Sequence, residues 1–422
     1  MYRLDWIEQL KLRTAEMPKP RKVAAVSPAV WNLGWTSFLT DVSAEMVNSV
    51  IPVYLVLHLH LSPLRYGAID GIYNGFAVVL LSLIAGLAAD RGRRHKQIAV
   101  AGYGLSTLCK IALLFAGGAW TAIMGVMALD RAGKGIRTAP RDALISLHTQ
   151  SESLATAFAA HRALDAGGML LGPIVAFGLF WLVPNAFDAV WIASFAFGIL
   201  GVAVLVLFVP EPDYVGSRPS AGLTLTSAFQ LFRSPRFSAL AICAFGLALA
   251  TISDAFVYLQ LQKKSGTDSS FFPLFYVLTA AAYMLLSLPA GRLGDRYGRL
   301  PLFLSGYVVL AVMYFVLHRV SDVGSGALIA FVVALGAYYA VTEGILMAMA
   351  SAIIPPEFRT SGIALIATCV GLGKLGSSLL FGYAWHTLGA DTAVWCFAFG
   401  LVVCVVGAIL MLRGRDYEKL DA

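Results

Sequence analysis

Long apolar stretches recur along the whole sequence, and they constrain the fold more than any other feature. About 20 helical residues cross the hydrocarbon core of a bilayer, which is roughly 30 Å thick. A transmembrane barrel would instead show shorter segments of alternating apolar and polar residues. The pattern predicts an all-α membrane protein with twelve transmembrane helices, at about 30–57, 66–88, 97–117, 119–140, 155–182, 186–209, 237–262, 272–290, 301–318, 325–353, 361–387 and 392–412.

The composition leaves little room for anything outside the membrane. Hydrophobic residues make up 59% of the 422 residues and charged residues 13%, whereas soluble domains carry about 25% charged residues. No sizeable soluble domain is expected. The predicted organisation is a tail at 1–27, a six-helix bundle at 28–210, a linker at 211–236, a second six-helix bundle at 237–413 and a tail at 414–422.

Basic residues outside the spans are distributed unequally between the two faces. With both termini on one face, that face carries 21 Lys and Arg residues and the other face 4. Cytoplasmic loops are rich in Lys and Arg, so we expect a multi-pass protein of the inner (plasma) membrane with both termini in the cytoplasm. The first tail has no apolar signal-peptide core and is expected to remain on the chain. This bias and contact with lipid headgroups account for the net charge of +7 without a nucleic-acid partner.

The chain contains an internal repeat of six spans. A Pro-, Ser- and Gly-rich loop, Glu211–Phe237, separates two sets of six spans. Between the second and third spans of each set stands a similar motif, "GLAADRGRRHK" at Gly86–Lys96 and "GRLGDRYGR" at Gly291–Arg299. A parallel repeat of this kind is typical of transporters that bind their substrate between two halves.

Both motifs resemble the loop signature of the major facilitator superfamily, Gly-x-Leu-x-Asp-Arg-x-Gly-Arg-Arg, although Arg93 replaces the second Gly in the first copy. The resemblance covers nearly the whole chain and implies the major facilitator fold, with two six-helix halves. It also implies that the motif residues gate one face of the protein, while the alternative is that their arginines serve only topology and lipid contact. The implied gating residues are Gly86, Asp90, Arg91, Arg94, Asp142, Gly291, Asp295, Arg296, Gly298 and Arg299.

Span four carries charge deep in the membrane. Asp130, Lys134 and Arg137 share one helical face, and Arg131 lies on the adjacent face. An unpaired charge at the bilayer centre costs roughly 3 kcal/mol or more, so these groups must face a water-filled cavity or carboxylate partners. Pro140 is expected to kink or end this helix.

Carboxylates are available in span one, where Asp41 and Glu45 share a face. The resemblance implies that spans one and four line a central cavity, with both acids facing Arg131. Arg131 also resembles the Arg of a fourth-span motif in proton-coupled facilitators. We therefore expect the two acids to carry a coupled proton that Arg131 controls; a static ion pair is the alternative. The full set of expected cavity residues is Asp41, Glu45, Asp130, Arg131, Lys134, Arg137, Arg162, Asp165, Asp254, Glu343 and Lys374.

Span five contains Gly168, Gly172 and Pro173, which resemble the core of an antiporter motif found in exporters. Close helix packing is the other interpretation of these glycines. The resemblance thus favours efflux over uptake.

The sequence predicts a monomeric secondary transporter for proton-coupled efflux of a small solute, and the basic face of span four favours an anionic or amphipathic one. The alternatives are a proton- or ion-coupled importer of a small organic anion or metal chelate, and a sensor or lipid scramblase on the same scaffold. No enzyme, metal or cofactor site is expected. "GKG" at 133–135 lacks the rest of a phosphate loop, and all five cysteines fall in apolar spans.

Overall fold

The computed structural model describes residues 26–75, 94–150, 153–211, 230–355 and 359–413, together with Leu81, Ile84 and Ala88. These residues are helical apart from their connections, and no strand occurs among them. Nine helical stretches in the described ranges are long and apolar enough to cross a membrane. The prediction of an all-α membrane protein is confirmed.

In the first half, the described residues form six helices. They are α1 (Pro28–Pro52, continued by a π-helical turn at Val53–His58), α2 (Pro63–Gly75), α3 (His95–Ala116), α4 (Trp120–Leu147), α5 (Leu154–Leu182) and α6 (Phe187–Phe208). Ser27 caps α1 by accepting a hydrogen bond from the Val30 N–H at 3.4 Å. α4 continues through Pro140 to Leu147, so the proline does not end the helix.

The second half contains α7 (Pro235–Leu249), α8 (Asp254–Ser265), α9 (Phe272–Tyr297), α10 (Arg299–Arg319), α11 (Ser325–Ile353), α12 (Arg359–Leu388) and α13 (Ala390–Leu412). Gly298 joins α9 to α10 with a φ of 99°, a conformation that a residue with a Cβ rarely adopts. This glycine therefore permits the sharp reversal between two consecutive spans.

The seventh predicted span is divided into α7 and α8. In the break, the Ile252 N–H donates to the Tyr314 hydroxyl at 2.9 Å, and the Ser377 hydroxyl donates to the Thr251 carbonyl oxygen. Side chains from α10 and α12 thus replace the partners that a continuous helix would provide, as the membrane interior requires. The break places Asp254 at the first turn of α8, inside the bundle.

Within each half, neighbouring helices pack closely: α1 against α5 and α6, α3 against α4, α7 against α12, and α9 against α11. The two largest contacts between the halves are α2 with α12 and α5 with α9. The six-span repeat relates these two pairs to each other. α2 and α9 are the second spans of their halves, and α5 and α12 are the fifth spans. We call the membrane side at which α1 begins the terminal face, and the other side the opposite face.

The α2–α12 seam closes the opposite face. A Cβ at Gly67 would lie 2.4 Å from the Ser378 carbonyl oxygen, and one at Gly75 would lie 2.5 Å from the Gly371 carbonyl oxygen. Only glycine allows backbones to approach this closely. Phe177 lies 5.6 Å from the Phe271 ring centre and forms part of the α5–α9 contact.

Candidate functional site: a charged cavity between two helical halves

The acid of α4, Asp130, is paired inside the first half. Its Oδ1 lies 2.9 Å from Lys110 Nζ of α3, and both side chains are buried. An isolated charge at this depth would be energetically costly, and the pairing of Lys110 with Asp130 offsets the cost of burying each charge. Lys110 is not among the expected site residues, because it lies in span three, which the family resemblance does not place at the cavity.

Asp41 forms its ion pair with Arg137, whereas Arg131, which the sequence analysis expects it to face, interacts with it only by electrostatic attraction. Arg137 Nη2 lies 3.3 Å from Asp41 Oδ1, and the guanidinium carbon lies 4.4 Å from the Tyr103 ring centre. The cause is register: α1 and α4 run antiparallel, so each turn forward along α1 meets an earlier turn of α4. Asp41 is level with Arg137, and Glu45 is level with Arg131.

Glu45 is the carboxylate that attracts Arg131 most strongly, and it also attracts Lys134. Asn48 Nδ2 donates to Glu45 Oε2 at 2.9 Å. The Arg131 guanidinium carbon lies 3.2 Å from the Tyr73 ring centre, and its buried Nε has no hydrogen-bond partner within the described residues. Arg131 is thus held by a ring face and by electrostatic attraction, not by a hydrogen-bonded ion pair.

A second group of charges lies nearer the terminal face. Arg141 pairs with Asp142 of its own helix at 2.9 Å and lies 3.9 Å from Asp165 of α5. Asp165 is also a polar neighbour of Asp41. Arg162, from the same helix, has an exposed side chain. The structure therefore joins Asp165 to the Asp41 cluster and leaves Arg162 at its edge.

Gly168, Gly172 and Pro173 lie in α5 and bring it against α1. A Cβ at Gly168 would lie 2.5 Å from a backbone oxygen of α1. A Cβ at Gly172 would lie 2.7 Å from the Val42 carbonyl oxygen and 2.9 Å from Glu45 Cβ. These glycines therefore fix the position of the α1 face that carries the acids.

In the second half, the Tyr339 hydroxyl of α11 donates to Asp254 Oδ1 at 2.6 Å. Lys374 of α12 interacts electrostatically with Asp254, and its Nζ lies 5.9 Å from the Tyr339 ring centre. Glu343 is exposed one turn further along α11. The structure thus brings Asp254 and Lys374 together, with Glu343 beyond them.

Asp70 of α2 is a site residue that the sequence analysis misses. It is 6% exposed; its Oδ2 accepts a hydrogen bond from the Ser378 hydroxyl at 2.6 Å and its Oδ1 accepts one from Asn74 at 2.9 Å. Lys374 attracts it electrostatically. An acid inside an apolar span is itself a signal of function. The family resemblance points to spans one and four of each half, so an acid in span two is not considered.

A central cavity of about 180 Å³ lies between the halves. Helices α1, α2 and α4 line one side, and α8, α9, α11 and α12 line the other, together with the break before α8. Its charged lining residues are Asp70, Asp254 and Lys374, and four tyrosines contribute to its wall: Tyr66, Tyr73, Tyr276 and Tyr339. Of the expected cavity residues, only Asp254 and Lys374 line this space.

A second cavity of about 380 Å³ lies in the second half. Glu343 and Tyr283 are in its wall, and it shares Thr251, Tyr339 and Lys374 with the central cavity. These shared residues therefore stand between the two spaces. Across the described ranges, no three His, Cys, Asp or Glu residues are placed to hold a metal ion.

The predicted gate is described only in part, because Gly86, Asp90 and Arg91 lie outside the described residues. Arg94 is exposed and precedes α3, and Asp142 is engaged by Arg141. In the second copy, Asp295 accepts a hydrogen bond from Arg299 at 3.1 Å. Gly291 and these two side chains line a further cavity of about 300 Å³, while Arg296 lies over the Tyr297 ring.

Comparison with known proteins identifies relatives over nearly the full length. A sequence model of the family described as Major Facilitator Superfamily matches residues 33–282 and 255–421. An uncharacterized MFS-type transporter of Methanocaldococcus jannaschii is 28% identical over 92% of this chain and 95% of its own length.

Solved structures share the fold. A mutant form of the nucleoside transporter NupG has a TM-score of 0.80 at 15% identity, covering 91% of this chain and all of that one. A bacterial homologue of the human lysosomal transporter Spinster, described as inward-facing and unoccupied, has a TM-score of 0.68 at 16% identity, covering 91% of this chain and 96% of that one. The predicted fold, twelve helices in two halves, is confirmed.

Proposed function

This chain belongs to the major facilitator superfamily, and from that premise we propose that it is a secondary active transporter that exports a small solute in exchange for protons. The observation that carries the proposal is the central cavity, to which each half contributes a carboxylate, Asp70 from the first and Asp254 from the second. A site built by both halves changes shape whenever the halves move, as alternating access requires.

The coupled proton is carried by the acids of α1. Asp41 is fixed by Arg137, whereas Glu45 is attracted by Arg131, which has no hydrogen-bonded ion pair with any residue that the structure describes. A positive charge that approaches a carboxyl group favours its ionised form, and one that withdraws favours the protonated form. We therefore assign the proton-carrying role to Glu45 first, with Asp41 as the fixed member of the same cluster.

Alternating access follows from the two inter-half contacts. In this structure the α2–α12 seam closes the opposite face, and the second cavity lies beside the central cavity, separated from it by Thr251, Tyr339 and Lys374. We place the terminal face in the cytoplasm of an inner-membrane protein, because 21 basic residues lie on that side and 4 on the other. Export is favoured by the antiporter-like glycines, Gly168 and Gly172.

The test is solute-dependent proton movement in proteoliposomes that contain the purified full chain and a trapped pH-sensitive dye. A panel of small anions, cations and neutral solutes is added, and proton flux is recorded with and without an imposed pH gradient. We expect at least one solute to drive proton flux in the wild type, and Glu45→Gln to abolish it. A matched control is Asp188→Asn, which changes an exposed acid at the start of α6. Solute flux without proton flux would remove the coupling from this proposal, and no flux with any solute would remove transport itself.

A further inference from the structure

The wall of the central cavity carries more negative than positive charge. Asp70 and Asp254 both line it, and Lys374 is the one Lys or Arg in the lining that the structure describes. Lys374 interacts with both carboxylates, so it can offset only one of them. Inside a membrane an uncompensated charge is costly, and a ligand of opposite sign relieves that cost.

Charges immediately behind the wall do not reverse this sign. Arg131 interacts more strongly with Glu45 and Asp41 than with Asp70. The cluster behind the wall is close to neutral, because its three cations face three acids: Arg131, Lys134 and Arg137 against Asp41, Glu45 and Asp165. Glu343 is a further acid that interacts electrostatically with Asp254, and it adds to the negative potential on the side of the second cavity.

Several hydrogen-bond donors of the wall are already directed at carboxylates. Asn48 and Asn74 each donate an amide N–H to a neighbouring carboxylate at 2.9 Å, and Tyr339 donates its hydroxyl proton to Asp254 at 2.6 Å. These bonds orient both amides so that their carbonyl oxygens are left to accept. A carboxylate also accepts more than one hydrogen bond. The wall therefore suits a ligand that brings donors.

Tyr73 supplies an independent indication of a ligand. Its side chain is 5% exposed and lines the cavity, and its buried hydroxyl has no hydrogen-bond partner among the residues described. A buried polar group without a partner costs about 1–3 kcal/mol. A ligand that contacts this hydroxyl recovers part of that cost.

The cavity also limits the size of the ligand. A cavity of roughly 150 Å³ accommodates a benzene molecule, and the central cavity measures about 180 Å³. The rings of Tyr66 and Tyr276 are part of its wall, and tyrosine rings attract cations as well as apolar groups.

We propose that the solute is a small primary amine in its ammonium form, with an apolar body about the size of a benzene ring, and that its ammonium group docks on Asp254 and Asp70. Lys374 occupies the same carboxylates when the cavity is empty and withdraws towards the second cavity when the amine enters. This proposal rests on the transport function proposed above, because it names the class of solute.

The experiment is a binding assay on the purified full chain in detergent at neutral pH, with no gradient. Three probes of similar size and different charge are used: benzylamine (cationic), benzyl alcohol (neutral) and benzoate (anionic). Ligand binding raises the midpoint of thermal unfolding in proportion to ligand saturation. We expect benzylamine alone to raise the midpoint, and its dissociation constant to rise at least tenfold in Asp254→Asn and in Asp70→Asn. The control Asp188→Asn should bind benzylamine as the wild type does.

Lys374→Met distinguishes a site for a cation from a site for an anion. It also provides the test if the aspartate variants do not fold. Removal of the resident ammonium should tighten benzylamine binding, whereas an anion site would lose its ligand. Preferential binding of benzoate, equal binding of all three probes, or binding of none would each overturn the amine proposal. Because the assay involves no flux, it is independent of transport: solute-driven proton flux without amine binding removes only the solute class, and amine binding without any flux removes only the transport function.

Discussion

The Asp70 carboxylate accepts a hydrogen bond from the Ser378 hydroxyl at 2.6 Å, and these two residues belong to different halves of the protein. Asp70 lies in α2 and Ser378 in α12, at the point where glycine residues bring the two backbones together. In the proposed transport cycle the bond can exist only while the opposite face is closed, so its strength would bias the equilibrium towards that state.

Ser378→Ala should open the opposite face. Hydrogen bonds to charged groups contribute about 1.5–3 kcal/mol, which corresponds to a shift of roughly tenfold or more in population. Double electron–electron resonance between spin labels at Leu57 and Leu388, in a background without native cysteines, should show a longer distance. Ser377→Ala is the matched control, because Ser377 bonds to Thr251 within its own half. Identical distance distributions in Ser378→Ala and wild type would mean that this bond does not hold the face closed.

Gly172→Ala should impair both folding and coupling. The added Cβ would lie 2.7 Å from the Val42 carbonyl oxygen and 2.9 Å from Glu45 Cβ, so α5 must move away from α1. Overpacking of this kind typically costs about 1–3 kcal/mol. Thermal unfolding in detergent should show a lower midpoint. Gly178→Ala, on the same helix, is the control, since no atom of the described residues lies within 4 Å of its added Cβ; equal midpoints for the two variants would contradict the packing role.

Arg131→Gln should shift the pH optimum of transport upward. A positive charge beside a carboxyl group stabilises its ionised form, and Arg131 lies near the acids of α1, so loss of its charge should move the pH profile of transport upward. Glu45→Gln and Asp41→Asn should abolish proton-driven accumulation while passive exchange persists. Flux is measured against pH in proteoliposomes and normalised to folded protein. A pH profile that is the same in all three variants and in wild type would leave only a static ion pair.

Lys110→Met should destabilise the protein strongly, by about 3–5 kcal/mol, because it leaves Asp130 charged and buried without its partner. The double variant Lys110→Met, Asp130→Leu should recover much of this loss. Arg299→Met is the comparison: its partner Asp295 is largely exposed, and exposed ion pairs contribute about 0–1 kcal/mol. Thermal unfolding of the four proteins forms the test, and an equal loss in the single and double variants would mean that the charge of Asp130 is not the cause.

The helical architecture could be predicted because it depends on local pattern. Apolar stretches of membrane length and two motif copies establish the twelve-helix fold, and the spacing of Gly168 and Gly172 indicates a close helix contact that the structure contains. The break before Asp254 could not be predicted. Its stability depends on Tyr314 and Ser377, which are distant in sequence and reach the open backbone groups only in the folded bundle.

For the charged residues of span four, it is easier to predict that they are buried than to predict which residues they pair with. Each charge in span four needs a partner, but the choice between Arg131 and Arg137 for Asp41 depends on the offset of two antiparallel helices, and a shift of one turn changes every pair. Asp70 was missed for a similar reason. Its partner Ser378 lies in the other half, so no spacing within one half reveals the contact.

The α2–α12 seam and the α5–α9 contact differ in how much side-chain conformational freedom is lost when they form. At the α2–α12 seam, Gly67, Gly71 and Gly75 have no side-chain rotamers to lose, so closure there costs little side-chain entropy. At the α5–α9 contact, the rings of Trp181 and Phe271 must settle into one arrangement. The entropic cost of that ordering increases with temperature, so warming should loosen the aromatic contact before the glycine seam.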